Sequence, residues 1–301
     1  MALSGKVALV TGATRSVGRG VAHALSQLGA KVYITARHAK EAKKPPGAER
    51  HTFWGSLDIT VREGREMGAT SLVPVVCDHR DDDQTAGLFE RIIRDDGHLD
   101  IVVHAAWGGY ERLRGGYPED GPFDWSADFW AQPLSLWDEM QVVGVRSNYL
   151  VSAFAARMMV AQRSGLLVSI SYRCGQEYSE NVAYSTSHAA MDTMARHMAI
   201  DLKPYDVAPV SLYPMGAVED VAWDVSGAES GVFVGRAVAA LYADPALMSK
   251  TGKVFGTRAL APIHGFTDTD GSQPEISEEY DGWVQPDGSM VGPAPNAPLE
   301  S

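Results

Sequence analysis

Cysteine is nearly missing: Cys77 and Cys174 are the two in 301 residues, far apart and without metal-ligand spacing, which points to neither a disulfide framework nor a zinc site. No apolar run reaches the ~18 residues that a membrane span requires. Positive charge is scarce as well. The 26 Lys and Arg stand against 38 Asp and Glu, and the formal net charge of −12 argues against nucleic acid or an anionic membrane surface as the main partner. From Phe266 onward Lys and Arg are absent while Asp, Glu, Gly and Pro are frequent, so 266–301 reads as an extended or partly disordered acidic tail. No leader precedes the first apolar run at 6–11, which predicts a cytoplasmic protein acting on a small molecule. No repeat is visible beyond an alternation of strand and helix.

That alternation is the strongest positive signal. With 45% hydrophobic residues, the chain is long enough for one large domain, placed at 1–265. Short β-branched runs at 6–11, 31–36, 72–77, 99–104, 166–170, 207–213 and 253–256 are separated by amphipathic segments, including 21–28, 56–67, 82–94, 134–162, 181–202 and 231–242. The pattern predicts an α/β fold of the Rossmann type: a doubly wound parallel sheet of about seven strands in a three-layer αβα arrangement. Two stretches break the rhythm. One, 38–55, is basic, contains Pro45-Pro46-Gly47 and reads as a surface loop. The other, 107–133, is rich in Gly, Pro and aromatics (Trp107, Tyr110, Tyr117, Phe123, Trp125, Phe129, Trp130) and reads either as a pocket wall or lid, or as an oligomer contact.

Two constellations carry chemistry. The first strand runs straight into Gly12-Ala13-Thr14-Arg15-Ser16-Val17-Gly18 and a helix. Gly12 permits a tight turn, Gly18 lets helix and strand approach, and the helix N-terminus presents N–H groups to a pyrophosphate. The second is Ser171, at the end of a strand, followed thirteen residues later by Tyr184, with His188 one helical turn beyond on the same face. Open α/β sheets bind and transform ligands at the carboxyl ends of their strands.

These residues resemble the short-chain dehydrogenase/reductase superfamily, whose pattern is Thr-Gly-x3-Gly-x-Gly in the first turn and Ser … Tyr-x3-Lys at the catalytic end. More narrowly, Trp137-Asp138, Gly144-Val-Arg146, Ser211-Leu-Tyr-Pro214 and Gly265-Phe-Thr-Asp-Thr-Asp270-Gly271 resemble the branch containing dehydrogenase/reductase SDR family member 1. The resemblance spans about 5–274. It implies a nicotinamide cofactor held by Gly12, Thr14, Arg15, Ser16, Val17, Gly18, Arg37, Asp78, His79, His104, Ala105, Ala106 and Pro214, with Asp78 at the adenine. Asp78 is equally suited to cap the following helix. Relatives that prefer NAD carry an acidic residue near the end of the second strand. This chain has Thr35-Ala36-Arg37 there and Arg15 in the glycine turn, and paired guanidinium groups suit a 2′-phosphate, so NADP(H) is expected.

The resemblance further implies Ser171 as the group that orients a substrate oxygen and Tyr184 as acid/base. It breaks at His188, where the family has lysine. A phenol ionises near ~10, so proton transfer at neutral pH benefits from a nearby cation, and histidine is largely neutral there. Other departures cluster beside it. His104-Ala105-Ala106-Trp107 replaces Asn-Asn-Ala-Gly, Gly144 replaces an asparagine, and Pro214-Met215-Gly216-Ala217-Val218-Glu219 replaces the stretch ending in threonine; apart from these, in the glycine turn, Ser16 replaces a glycine. Three readings follow. One is an NADP(H)-dependent carbonyl or alcohol oxidoreductase with a bulky or aromatic substrate. Another is a non-redox isomerase, cyclase or dehydratase using Tyr184 and His188. The last is a nucleotide-binding protein without catalysis. Cys174, three residues after Ser171, lies where it can border the pocket. The resemblance also implies a homodimer or homotetramer.

Overall fold

The computed structural model describes residues 2–40, 55–110, 124–216 and 228–293. Its strands are β1 (Val7–Thr11), β2 (Lys31–Ala36), β3 (Leu72–Val76), β4 (Ile101–His104), β5 (Gly165–Ile170), β6 (Val207–Tyr213) and β7 (Val254–Gly256). All pair in parallel, in the order β3-β2-β1-β4-β5-β6-β7. The chain winds outward from β1 to β3, then returns to start the other half at β4. The β1/β4 boundary is therefore the switch point, where connections diverge and leave a crevice.

Helices cover both faces, as the alternating pattern predicts. On one side α1 (Ser16–Gln27), α2 (Leu57–Glu66) and α7 (Gly231–Ala243) bury Val21, Leu25, Leu57, Val234 and Val238 against β1, β2 and β4. A Cβ on Gly20 would lie 2.1 Å from the Gly231 backbone, so glycine sets how closely α1 and α7 cross. On the other side α3 (Asp82–Asp95), α5 (Ser147–Gln162) and α6 (Val182–Leu202) bury Leu88, Ile92, Val151, Met159 and Leu202. Strands covered on both faces need continuous apolar runs, and β1, β4 and β6 are buried at every position. β3 lies at the margin and contains Pro74, tolerable only where a missing N–H leaves no ladder bond unmade. Side chains of Ser56, Asp81, Asn181 and Ser230 cap α2, α3, α6 and α7.

The expected single helix over 134–162 is instead three pieces. α4 (Leu134–Glu139) passes through a π-helical segment, Met140–Arg146, into α5. Such bulges often mark functional sites. The tail also differs from expectation. Tyr280, Trp283 and Met290 are buried against Tyr213, Met215 and Ala259, and burial of such side chains contributes roughly 1.5–3 kcal/mol each. Their acidic neighbours stay at the rim, where Asp287 pairs with Lys253 at 2.8 Å and Glu279 with Arg173 at 3.1 Å. The Met290 amide donates to the Val254 carbonyl (2.8 Å), laying the tail along β7. Short α8 (Leu247–Lys250) and α9 (Thr257–His264) flank β7. Most of the 38–55 loop, 111–123 of the aromatic stretch, Ala217, Val218 and Glu219, and 294–301 of the tail lie outside the described residues.

Candidate active site

A cavity of about 750 Å³ opens at the carboxyl ends of β1, β2, β4 and β5. All of the candidate residues named from the sequence line it: Gly12, Thr14, Arg15, Ser16, Val17, Gly18, Arg37, Asp78, His79, His104, Ala105, Ala106, Ser171, Tyr184, His188 and Pro214. Parallel register brings them together, with Thr11 level with Thr35 and His104, and His104 level with Ser169.

The end of the cavity over β1–β3 is built by backbone. Gly12 has φ +68° and a Cβ there would lie 2.6 Å from the Ala106 backbone, while a Cβ on Gly18 would lie 2.5 Å from the Gly12 carbonyl. The turn therefore tolerates no side chain at either position. Ser16 adopts φ +42°, a left-handed conformation that costs a serine what it would spare a glycine. The side chain of Arg15, at the N-cap of α1, makes no capping bond, and the first turn holds no acidic residue, so the amides at this helix end are suited to an anion. Arg15 and Arg37 line this end with Arg80, which the sequence reading missed. Arg80 forms a two-pronged pair with Asp78, at 2.7 and 3.1 Å, and those bonds hold the Asp78 carboxyl below its usual range. The alternative role for Asp78, capping α3, is filled by Asp81. His79 packs under the floor, 2.7 Å from the Thr35 hydroxyl, and burial lowers it to about 4.

The end over β4–β6 is built by side chains. Ser171 is buried where β5 runs out. The Asn181 cap accepts from the Tyr184 amide at 3.0 Å, fixing the first turn of α6 and so the direction of Tyr184. His188 does not replace the expected cation. Its Nδ1 lies 2.9 Å from the Tyr184 carbonyl, which can only accept, so Nδ1 carries the proton and Nε2 the lone pair. Burial lowers its pKa to about 4, leaving it neutral, and burial raises Tyr184 well above the ordinary phenol value. The Tyr110 hydroxyl lies 2.7 Å from that of Tyr184.

The departures from the family pattern fit one another. His104 stands where an asparagine was expected. The Thr11 hydroxyl donates to its Nδ1 (3.1 Å) and accepts from the amides of Ala105 and Ala106 (3.2 Å each), while Nε2 donates to the Gly144 carbonyl (3.2 Å) in the π-helical segment. Burial pulls His104 down to about 3, so it serves as a neutral linker. Trp107 occupies the next departure, its ring 4.5 Å from that of His188. A Cβ on residue 144 would lie 2.4 Å from the Trp107 ring, so the tryptophan as placed leaves room only for glycine at 144.

Of the aromatic stretch, Trp107, Tyr110 and Trp125 form cavity wall, whereas Phe129 and Trp130 are 62% and 73% exposed. Cys174 does not line the cavity; it is buried under Tyr184, and Cys77 borders the other end. Sequence reasoning also missed Asp192, buried behind the cavity wall, whose carboxyl accepts from the Tyr213 hydroxyl and is raised by burial to about 6 against that bond. Its spacing, four residues after His188 and eight after Tyr184, was the available signal.

The sheet order, the glycine turn at the switch point and the serine–tyrosine pair at the end of β5 define a Rossmann-type α/β protein. The chain belongs to the short-chain dehydrogenase family, whose model matches residues 6–228. It is 34% identical over 289 residues to dehydrogenase/reductase SDR family member 1 of Mus musculus, and equally to that of Homo sapiens, covering 89% of this chain and 85% of each relative. Versicolorin reductase 1 of Aspergillus parasiticus is 32% identical over 200 residues, 66% of this chain and 64% of that one. A metagenomic short-chain oxidoreductase solved in complex with NADP superposes with a TM-score of 0.63 at 23% identity, over 81% of this chain and 93% of that one. A short-chain dehydrogenase of Mycobacterium thermoresistibile gives 0.73 at 21%, over 92% and 93%. At those identities the two structures speak for the fold alone. No helix among the described residues is long and apolar enough to cross a membrane.

Proposed function

We propose that the protein is an NADP(H)-dependent oxidoreductase that interconverts a carbonyl and an alcohol on a bulky or aromatic small molecule. The observation that carries this reading is a single cavity lined at one end by the glycine turn with Arg15, Arg37 and Arg80, and at the other by Ser171 and Tyr184. The residues suit the cofactor. Gly12 and Gly18 leave room where a Cβ would strike backbone, and no carboxylate ends β2 to repel a 2′-phosphate. The glycine turn and its arginines would hold the cofactor, whose reduced nicotinamide would supply a hydride to a carbonyl carbon. Ser171 would hold the carbonyl oxygen and Tyr184 would give it a proton, while the Nε2 lone pair of His188 is left to accept a hydrogen bond. Aromatic walls from Trp107, Trp125 and Tyr172 favour a flat, apolar substrate.

The test is NADPH oxidation over a panel of aromatic and aliphatic ketones, with NADPH and NADH binding measured beside it. Turnover with NADPH preferred is the expected outcome; tighter NADH binding would overturn the cofactor assignment. A second reading, acid–base chemistry without redox, is favoured by the absence of a charge on His188 and predicts NADPH bound but never consumed. Exposed Tyr149 on α5 and Ile200 on α6 offer a surface for a second copy, in keeping with a cytoplasmic homodimer or homotetramer.

A further inference from the structure

We infer that Tyr110 is a second catalytic phenol: its hydroxyl donates to the Tyr184 oxygen and supplies, by hydrogen bond and proton return, what the missing cation at position 188 would. The inference rests on the reductase reading above. Its ground is the 2.7 Å separation of the two hydroxyl oxygens inside the cavity. In such a pair one hydroxyl must donate and the other accept. For Tyr184 to spend its own proton on a substrate oxygen, it must be the acceptor toward Tyr110, and this fixes the direction of the bond.

The pair is held by its surroundings. Gly109, at φ +107°, turns the chain into Tyr110, and a Cβ there would lie 3.0 Å from Met140. The Tyr110 ring stacks on Trp125, with centroids 5.9 Å apart and planes 23° from parallel. Trp125 in turn meets the Tyr184 ring edge-on at 5.4 Å and donates from Nε1 to Glu180 at 2.7 Å. Glu180 directly precedes Asn181, the cap of α6. Both phenols are thus referenced to the same helix end, and Tyr110 cannot drift from Tyr184 without unstacking Trp125. His188 offers no substitute, because its one proton is committed to the Tyr184 carbonyl.

The proton ledger closes. A hydride that the reduced nicotinamide would give up, its C–H bond breaking, would form the new C–H bond at the carbonyl carbon as the C=O π pair moves to oxygen. That oxygen forms an O–H bond as the Tyr184 O–H bond breaks. The Tyr184 oxygen, momentarily negative, receives a charge-assisted hydrogen bond from Tyr110, which is shorter and stronger than the neutral one. The Tyr110 O–H bond then breaks as that of Tyr184 re-forms, and water restores Tyr110. Net, one carbonyl, one reduced cofactor and one solvent proton give one alcohol and one oxidised cofactor. Alcohol oxidation runs the same steps in reverse.

Tyr110→Phe removes the hydroxyl and keeps the ring that stacks on Trp125. It should lower single-turnover reduction roughly 100-fold, the scale of losing one donor aimed at developing negative charge, with NADPH affinity unchanged. With tyrosine carbon-13 labelled at Cζ, the Tyr184 resonance, assigned by its loss in Tyr184→Phe, should shift in Tyr110→Phe without cofactor or substrate. A wild-type rate, or an unshifted resonance, would overturn the inference. Should Tyr110→Phe fail to fold, a proton inventory of single-turnover reduction by the wild-type protein decides: a curved dependence on deuterium fraction, for two protons in flight, is expected, and a linear one is contrary. If no carbonyl is reduced by the wild-type protein, the reductase reading fails, whereas the carbon-13 shift still judges the pair.

Discussion

The two ends of the cavity are made of different material. Over β1–β3 the work is done by backbone: two glycines whose Cβ atoms would strike neighbouring carbonyls or Cα atoms, and a helix end suited to an anion, with arginines at the rim. Over β4–β6 it is done by buried, neutral, mostly aromatic side chains packed around one phenol. Backbone geometry constrains few positions but constrains them hard, so Gly12 and Gly18 keep the pattern of the turn even where Ser16 departs from it. Side-chain networks change only in concert: His104 bonds to the Gly144 carbonyl, Gly144 leaves room for the Trp107 ring, and that ring packs on His188.

Four experiments break or sharpen that contrast. Tyr184→Phe should cost about 10³-fold in turnover while NADPH affinity holds, since loss of the general acid confines damage to one end of the cavity. Retained turnover would remove Tyr184 from the chemistry. Next comes pH. His188 protonates near pH 6.5 in an unfolded chain but near 4 in the fold. Between those values the unfolded state binds the extra proton, so this contribution is complete above pH 6.5 and is lost as pH falls toward 4, on the order of 3 kcal/mol. Denaturant titrations of wild-type and His188→Gln protein should differ by that slope and coincide in slope at neutral pH; parallel curves throughout would mean His188 is not held neutral by burial.

Gly144→Ala places a methyl 2.4 Å from the Trp107 ring and should cost about 1–3 kcal/mol in stability. Adding Trp107→Gly should recover part of that cost, and strict additivity of the two changes would deny their coupling. The smallest effect is expected at the conserved-geometry end. Arg37→Ala should weaken NADPH binding about 10-fold and leave NADH binding unchanged, as removal of one charged hydrogen bond predicts. Equal losses for both cofactors would show that Arg37 does not discriminate the 2′-phosphate.

The fold was legible because its signals are periodic and repeated: seven β-branched runs with helices between them leave little choice of architecture once the first glycine turn is seen. The cofactor end was legible for the same reason, a turn whose glycines are required by contact. What escaped the sequence is whatever depends on a contact across the fold. Within the π-helical break of the 134–162 helix lies Gly144, which meets Trp107, thirty-seven residues earlier in the chain. The neutrality of His188 follows from its depth, which outweighs a backbone carbonyl on its own helix that favours the charged form. Tyr110 read as one ring among several in an aromatic stretch until folding brought its oxygen to that of Tyr184. The tail read as acidic and open because its charges outnumber its three buried apolar anchors, Tyr280, Trp283 and Met290.

The margins of the sheet also determine how the protein behaves toward its neighbours in a crowded solution. An exposed strand edge is a template on which foreign chains add and aggregates grow. At one margin that template is already used, because Met290 bonds to Val254 and Ser289 bridges Phe255. At the other, Pro74 interrupts the row of donors that an incoming strand would need. The segment that reads as an unstructured acidic appendage thus covers an edge on which another strand could otherwise add.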